Sequence, residues 1–459
     1  MIISKTPLRA SFFGGGTDFS TYYENSKLGY GTVVSTALDM YVYITVNKKF
    51  DDSIRIVYSD NELVSNVDEV KHNIIREALK IVGIERGIEI VYMADIPLSN
   101  AGIGLAKEEP KLFFLNNPCP LFIDEVQKEG AILEEIKQIV DESDERGQFI
   151  LSGSQKLELM KGISESLAGR VSIFELSGLS MREIKKIKFN KHFVPTEDYL
   201  RERETELKKY DNIWEVIHKG SYPELYDIDR DWQDFYSSYV STYLERDINE
   251  LIATDSITFT KFLTAVAART GELLNYANIA SDIGISEMTV KKWISILERT
   301  GIVYLLQPYS ASALNRAIKT PKIYFRDTGL ACYLTRWLTA DALKNSAVAG
   351  NMFETFVISE ILKTYSNEGK DYRFNIYYYR GKDKRKTGEN EIDLIIEENG
   401  VLYPVEIKMS GNPKAIMGAT NQVLDKIPDK KRGMGIILCL IDKKTYLREN
   451  LIALPIEYI

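Results

Sequence analysis

Residues 120–126 read Pro120-Leu121-Phe122-Ile123-Asp124-Glu125-Val126, an apolar run of strand length that ends in two carboxylates. Ala131 to Asp141 follows with helical spacing. Phe149-Ile150-Leu151 is a second short apolar run, closed by Ser152-Gly153-Ser154. Strand, amphipathic helix and strand in that order predict a parallel α/β layer. Paired carboxylates at a strand end suit Mg²⁺ chemistry, with Asp124 on the cation and Glu125 orienting a water. Ser154, at the end of the next strand, and Arg170 stand where a phosphate would be met. A single acid-ended strand is common in buried sheets, so it is the second strand that makes the pattern specific. Val171 to Leu176 reads as a third strand.

Upstream, residues 1–97 are strand-rich. Val33 to Val46 is β-branched and aromatic, Ile54 to Tyr58 alternates, and Ile88 to Tyr92 reads as a further strand. Asp68 to Val82 has helical spacing. Arg9 precedes Phe12-Phe13-Gly14-Gly15-Gly16-Thr17-Asp18, where three glycines permit close backbone approach to a ligand. Arg9, Thr17 and Asp18 would suit a polar or phosphorylated one; a glycine turn between strands is the plainer alternative.

Downstream, residues 195–265 are charged and helical. Asn275 to Ile283 is a short helix pattern, Gly284-Ile285 a turn, and Ser286 an N-cap for a second helix closed by Gly301. With Ile302 to Leu306 as a wing strand, this is a winged helix-turn-helix pattern. Lys291 and Lys292 are its candidate nucleic-acid contacts; a structural or protein-contact role is the alternative.

Glu391 to Ile396 and Val401 to Lys408 are strands joined by Asn399-Gly400, a hairpin signal. Glu406 and Lys408 lie two apart and so share a strand face, with Asp393 on the neighbouring strand. Carboxylates there suit Mg²⁺ or Mn²⁺, and a lysine can polarise an attacking water. Glu354, on the helix Asn351 to Tyr365, is the candidate fourth member. The preceding loop carries Lys382, Lys384, Arg385 and Lys386, which would meet phosphates. Tyr377, Tyr378 and Tyr379 would stack on bases or pack. The plainer alternative is a hairpin with a solvated, paired charged face.

The chain has 459 residues, 27% charged and 44% hydrophobic, with net charge −8. That predicts several domains, and restricts any nucleic-acid contact to local patches. No run of about 18 apolar residues predicts a membrane span, and the first residues do not read as a secretion signal. Three scattered cysteines and three scattered histidines point to a reducing cytoplasm and away from a Cys/His zinc site.

Two resemblances follow. Ser4 to Asp18, Tyr41 to Asn47 and Ile88 to Pro97 resemble the start of a GHMP-type sugar kinase, of the kind acting on heptose 7-phosphate. That resemblance places Arg9 and Gly14 to Asp18 at a sugar site. The family's phosphate loop should follow Pro97, yet Ala106 and Lys107 stand where serines are wanted, so no phosphotransfer is expected.

From about Ala106 the chain resembles AAA-type ATP-binding proteins with a C-terminal domain of unknown function. The matching strings are Lys107 to Pro110, Asn117 to Gln127, Gln148 to Gln155, Ser166 to Arg170, Gly220 to Leu225, Ser238 to Asp247 and Lys322 to Leu330. That family implies ATP and Mg²⁺, with Asp124 and Glu125 as Walker B. No Gly-Lys-Ser or Gly-Lys-Thr occurs in the chain, so the Walker A loop is missing. The C-terminal constellation resembles a PD-(D/E)XK nuclease core, with Asp393, Glu406 and Lys408 on its positions.

The expected fold is α/β and α+β multidomain. A kinase fragment occupies 1–97, a partial AAA core 98–190, a helical connector 191–265, a winged helix 266–335 and a nuclease-like domain 345–459. The expected function is an AAA-family ATP-binding protein impaired in ATP binding and associated with DNA. A kinase fragment and a non-enzymatic module that binds a protein partner are the alternatives.

Overall fold

The computed structural model describes residues 2–13, 34–57, 61–94, 109–124, 126, 130–153, 160, 162–163, 166–227, 230–242, 256–310, 320–382 and 389–459. It is a mixed α and β protein with several sheets, and it divides into two compact units, Met1–Val171 and Ser172–Ile459.

The first unit carries two sheets. Strands β1 (Ile2–Phe13), β2 (Val34–Lys48), β3 (Ile54–Val57), β4 (Asn61–Val64) and β5 (Ile88–Ala94) order as β1-β2-β5-β3-β4. Alternation sets the facing of β3. Ile54 and Ile56 point into the core, while Arg55 points out and pairs with Glu89 on β5 at 3.1 Å. Helix α1 (Asn73–Val82) begins later than its apolar spacing suggests, because a short 3₁₀ turn takes Val67–Glu69. Gly83, at φ +69°, ends it. Ile75 and Leu79 from α1 pack with Ile54, Ile56, Ile88 and Ile90 in one apolar cluster.

A separate cluster holds the second sheet. Helix α2 (Pro110–Asn116), β6 (Leu121–Ile123), α3 (Gly130–Asp141) and β7 (Phe149–Leu151) bury Phe114, Ile132, Leu133 and Ile136 together. β6 and β7 pair in parallel, Leu121 with Phe149 and Ile123 with Leu151, as the strand-helix-strand pattern requires. The expected third strand at 171–176 is not one. Its residues join no strand among the described residues, and Ile173, Phe174 and Leu176 are exposed. A β-branched sequence makes a strand only where a neighbouring backbone completes the ladder.

After a short helical turn at Met181–Ile184, the second unit carries helices α4 (Glu197–Glu204), α5 (Ile213–Lys219) and α6 (Trp232–Tyr239). Helices α7 (Ser256–Ala267), α8 (Tyr276–Ile283) and α9 (Glu287–Thr300) then form the three-helix set, which starts earlier than residue 266. Gly284 at φ +78° makes the turn. Ser286 caps α9 by accepting from the Thr289 amide at 3.1 Å, and Gly301 closes it. Strands β8 (Glu272–Leu273), β9 (Val303–Leu306) and β10 (Lys322–Phe325) form an antiparallel sheet with β10 central.

The C-terminal part opens with α10 (Thr328–Leu334) and the long buried helix α11 (Ala349–Glu368). A larger sheet follows, of β11 (Ile376–Lys382), β12 (Glu389–Glu398), β13 (Val401–Lys408), β14 (Lys431–Arg432), β15 (Gly435–Cys439), β16 (Thr445–Arg448) and β17 (Leu451–Pro455). Its order is β11-β12-β13-β15-β17-β16, with β14 beside β13. The first three strands are antiparallel, and β13, β15 and β17 are parallel. The β12–β13 turn has Asn399 and Gly400 both at positive φ, +50° and +79°, as a two-residue hairpin demands.

Candidate functional site

The best-formed constellation lies where β12, β13 and α11 meet β10. Asp393, buried on β12, accepts from the Ile407 amide at 2.8 Å and from the Lys408 ammonium at 2.6 Å. The Lys408 Nζ also lies 3.0 Å from Glu406 Oε2. The i, i+2 relation on β13 and the antiparallel pairing of β12 therefore bring the three side chains together. Glu406 is 4% exposed, and its Oε1 is buried without a hydrogen-bond partner. Burial, and then the charge of Asp393, push the Glu406 carboxyl up to about 8. Burial alone would lower Lys408, but Asp393 and Glu406 outweigh it and hold it raised.

Glu354 projects from α11 toward β10. Its Oε1 accepts from Tyr324 OH at 2.5 Å and lies 3.3 Å from Lys322 Nζ. Lys322, 4% exposed, also holds Glu391 at 2.5 Å. Burial and then Asp393 raise the Glu354 carboxyl. For Lys322, burial pulls down, and Glu354 with Glu391 reverse it to a net rise. Lys322, Tyr324 and Glu391 were not singled out from the sequence. The available signal was Lys322-Ile323-Tyr324, two polar tips at strand spacing, obscured because every residue of β10 is buried.

Glu354, expected beside Lys408, is thus held by Lys322 and Tyr324. Among the described residues no three carboxylate, histidine or cysteine side chains converge closely enough to hold a metal as they stand. Glu354, Asp393 and Glu406 carry the hard oxygen donors a divalent cation takes, but they are not gathered into one ligand set; one oxygen, Glu406 Oε1, is buried without a hydrogen-bond partner.

An open cleft of about 700 Å³ adjoins this cluster. Tyr276 and Lys291 of the helix-turn-helix line it, together with Lys322, Arg380 and Glu391. Lys291 and Lys292 are exposed on α9, with Lys291 Nζ 5.5 Å from the centre of the Tyr276 ring. Tyr377 and Tyr378 are buried and pack, Tyr377 edge-on against Tyr309, which corrects the base-stacking alternative for these two. The Lys382 side chain, and Lys384, Arg385 and Lys386 altogether, lie outside the described residues.

At the α/β layer, Asp124 is exposed at the end of β6 and accepts from the Ser152 hydroxyl at the end of β7. Ser152 rather than Ser154 is the polar side chain the parallel pairing delivers to Asp124, since Ile123 lies opposite Leu151. Arg170 grips Asp141 with two nitrogens, one at 2.9 Å. Glu125 and Ser154 lie outside the described residues, as do Gly14, Gly15, Gly16, Thr17, Asp18 and the Arg9 side chain.

No helix among the described residues is long and apolar enough to cross a membrane. Residues 73–185 match an AAA domain, residues 210–341 a domain of unknown function (DUF8612), and residues 349–459 another (DUF4143). The AAA match runs across the junction expected near residues 97–107 and suggests an ATPase-type family, with the nucleotide and divalent cation such families use. The chain is 27% identical over 309 residues to uncharacterized proteins of Mycobacterium bovis and Mycobacterium tuberculosis. Those alignments cover 66% of this chain and 62% of each relative, so the chain spans about three fifths of their length. A D-glycero-D-manno-heptose 1-phosphate kinase from Bacteriodes thetaiotaomicron aligns at 19% identity over 22% of this chain and 36% of its own, with a TM-score of 0.18. A score that low carries no argument about the fold.

Proposed function

We propose that this chain is a nucleic-acid-associated protein of AAA type, impaired in ATP binding, whose remaining chemistry lies in its C-terminal domain. The observation that carries this is the Asp393–Glu406–Lys408 constellation, in which the Lys408 ammonium lies within 3.0 Å of both carboxylates and the other Glu406 oxygen, Oε1, is buried without a hydrogen-bond partner. Glu354, Asp393 and Glu406 would hold Mg²⁺ or Mn²⁺, in a nuclease-like domain spanning 345–459. A bound cation would supply charge neutralisation at a phosphodiester and a more acidic water. Lys408, raised and therefore charged, stands ready to polarise that water or meet a phosphate oxygen. The winged helix supplies Lys291 and Lys292, with Lys382, Lys384, Arg385 and Lys386 as further candidate phosphate contacts.

The missing Walker A loop supports the impaired nucleotide function. Asp124 without backbone amides and a lysine to cradle the phosphates has little ligand to hold. Glu125, Ser154 and Arg170 would be remnants of that site. The test is fluorescence anisotropy with labelled DNA over a salt series. Affinity that falls steeply with salt, and falls when the basic residues are neutralised, supports the reading. Affinity indifferent to both overturns it.

A further inference from the structure

Lys291 lies on α9, the helix that in a winged helix-turn-helix enters a major groove. Its surroundings point to a different use. Glu287 and Lys291, one turn apart on α9, both line the cleft of about 700 Å³, together with Lys322 of β10, Arg380 of β11 and Glu391 of β12. A helix reads a groove with a face that stands clear of its own protein, whereas this face of α9 shares a cleft with three strands. A cleft of that volume has the capacity of a small-molecule site and does not admit a duplex.

The lining narrows the ligand class. Its cations are Arg269, Lys291, Lys322 and Arg380. Arg269 is held by Asp282 and the Ala265 carbonyl, and Lys322 by Glu354 and Glu391. Lys291 and Arg380 are exposed, and Lys291 makes no ion pair among the described residues. The Lys291 ammonium instead sits 5.5 Å from the centre of the half-buried Tyr276 ring. A flat ring beside a cation is the pairing that one nucleotide unit takes, its base stacking on the ring and its phosphate meeting the charge. Glu272 and Glu287 are exposed in the same lining. The cleft is therefore no broad basic track, and it suits one nucleotide better than a run of phosphates. An acidic peptide fits less well. Leu273, Leu274 and Ala277 are the aliphatic side chains of the lining, too few for apolar anchors, and the bordering edge strand β8 offers only Glu272 and Leu273 for strand addition.

We propose that this cleft is a subsite for one unstacked nucleotide of a single strand, with Tyr276 as the platform for its base and Lys291 and Arg380 as the contacts for its phosphate. This rests on the reading of the chain as nucleic-acid-associated, and adds which form of nucleic acid it takes and where. Lys291, on a flexible stem with no carboxylate to hold it, yields the ring to the base and follows the phosphate.

The test is fluorescence anisotropy of the full chain at fixed salt, with a labelled oligothymidylate and with a duplex of the same length. A single iododeoxyuridine in the strand, cross-linked by light and mapped by mass spectrometry, locates the base. Wild type should bind the single strand about tenfold more tightly than the duplex, within what one base stack on an aromatic ring is worth, and should cross-link at Tyr276. Tyr276→Leu should lose that advantage, while Tyr276→Phe should keep it, because the ring and not the hydroxyl stacks. A merely structural tyrosine would not separate the two forms of nucleic acid.

Should Tyr276→Leu fail to fold, Lys291→Gln and Arg380→Gln serve, because both side chains are exposed. Each should weaken the single strand several-fold. Equal binding of strand and duplex, with cross-links only outside the cleft, would overturn the subsite and leave nucleic-acid association standing. Polyglutamate that displaces the oligonucleotide, and no longer binds Lys291→Gln, would overturn it in favour of an acidic peptide. If the chain binds neither strand nor duplex, both readings fall.

Discussion

Replacing Glu406 with glutamine should remove a pH dependence from the stability of this protein. The carboxyl is buried, one oxygen meets Lys408 at 3.0 Å, and the other has no partner. Burial and Asp393 raise it from 4.5 to about 8 in the folded state. The folded chain therefore holds a proton that the unfolded chain has already lost between about pH 4.5 and 8. Stability from this group is full below that window and is lost as pH rises through it. At about 1.4 kcal/mol per pH unit the loss has a ceiling of about 5 kcal/mol. Glutamine keeps the shape and cannot ionise. The stability of Glu406→Gln relative to wild type should thus climb by about 3–5 kcal/mol between pH 5 and pH 8. Urea unfolding followed by tryptophan fluorescence, in buffer with a chelator, reads this directly. All four tryptophans, Trp214, Trp232, Trp293 and Trp337, lie in the second unit with the site. A difference that stays constant with pH, or shrinks as pH rises, would refute the reasoning. It would mean that Lys408 keeps Glu406 ionised throughout.

Four further outcomes follow. Asp327 is buried and accepts from the Ser221 amide at 2.6 Å, the Ser221 hydroxyl at 2.8 Å, Tyr236 OH at 2.7 Å and the Leu330 amide at 2.7 Å. Asp327→Ala orphans these donors and should cost about 3–5 kcal/mol in the second unit, read by urea unfolding. Gly220→Ala should destabilise the same node, because Gly220 sits at φ +85° and a Cβ there would overlap the Tyr236 hydroxyl and the Asp327 carboxylate; thermal melting checks it. Lys291→Ala and Lys292→Ala should each lower the salt slope of DNA binding by about 0.9 if each meets one phosphate, as anisotropy at several salt concentrations would show. MgATP should show no binding at millimolar concentration by calorimetry. Binding abolished by Asp124→Ala would instead restore the nucleotide site.

Local chemistry made much of this molecule legible in its sequence. Asn399-Gly400 fixed the hairpin because few residues accept two consecutive positive φ angles, and the hairpin set Asp393 opposite the strand of Glu406 and Lys408. Ser286 and the two glycines around α9 marked the helix-turn-helix because cap geometry is specified by a handful of adjacent residues. Apolar alternation gave β3, and the strand-helix-strand spacing gave the parallel β6–β7 pair. Val171 to Leu176 misled for the complementary reason: its side chains favour extended backbone, but a ladder needs a partner that the segment cannot supply.

What only the tertiary structure decided is how charge is shared. Lys322 and Glu354 stand on different elements, and nothing in β10 distinguishes a lysine that reaches carboxylates from one that reaches water. Coulombic attraction depends on distance and burial, and both arise only when β10 packs against α11 and the edge of β12. The sequence thus named Glu354, Asp393, Glu406 and Lys408, whereas the fold determined that a second lysine, Lys322, takes Glu354 together with Glu391 and that one carboxylate oxygen is left unsatisfied.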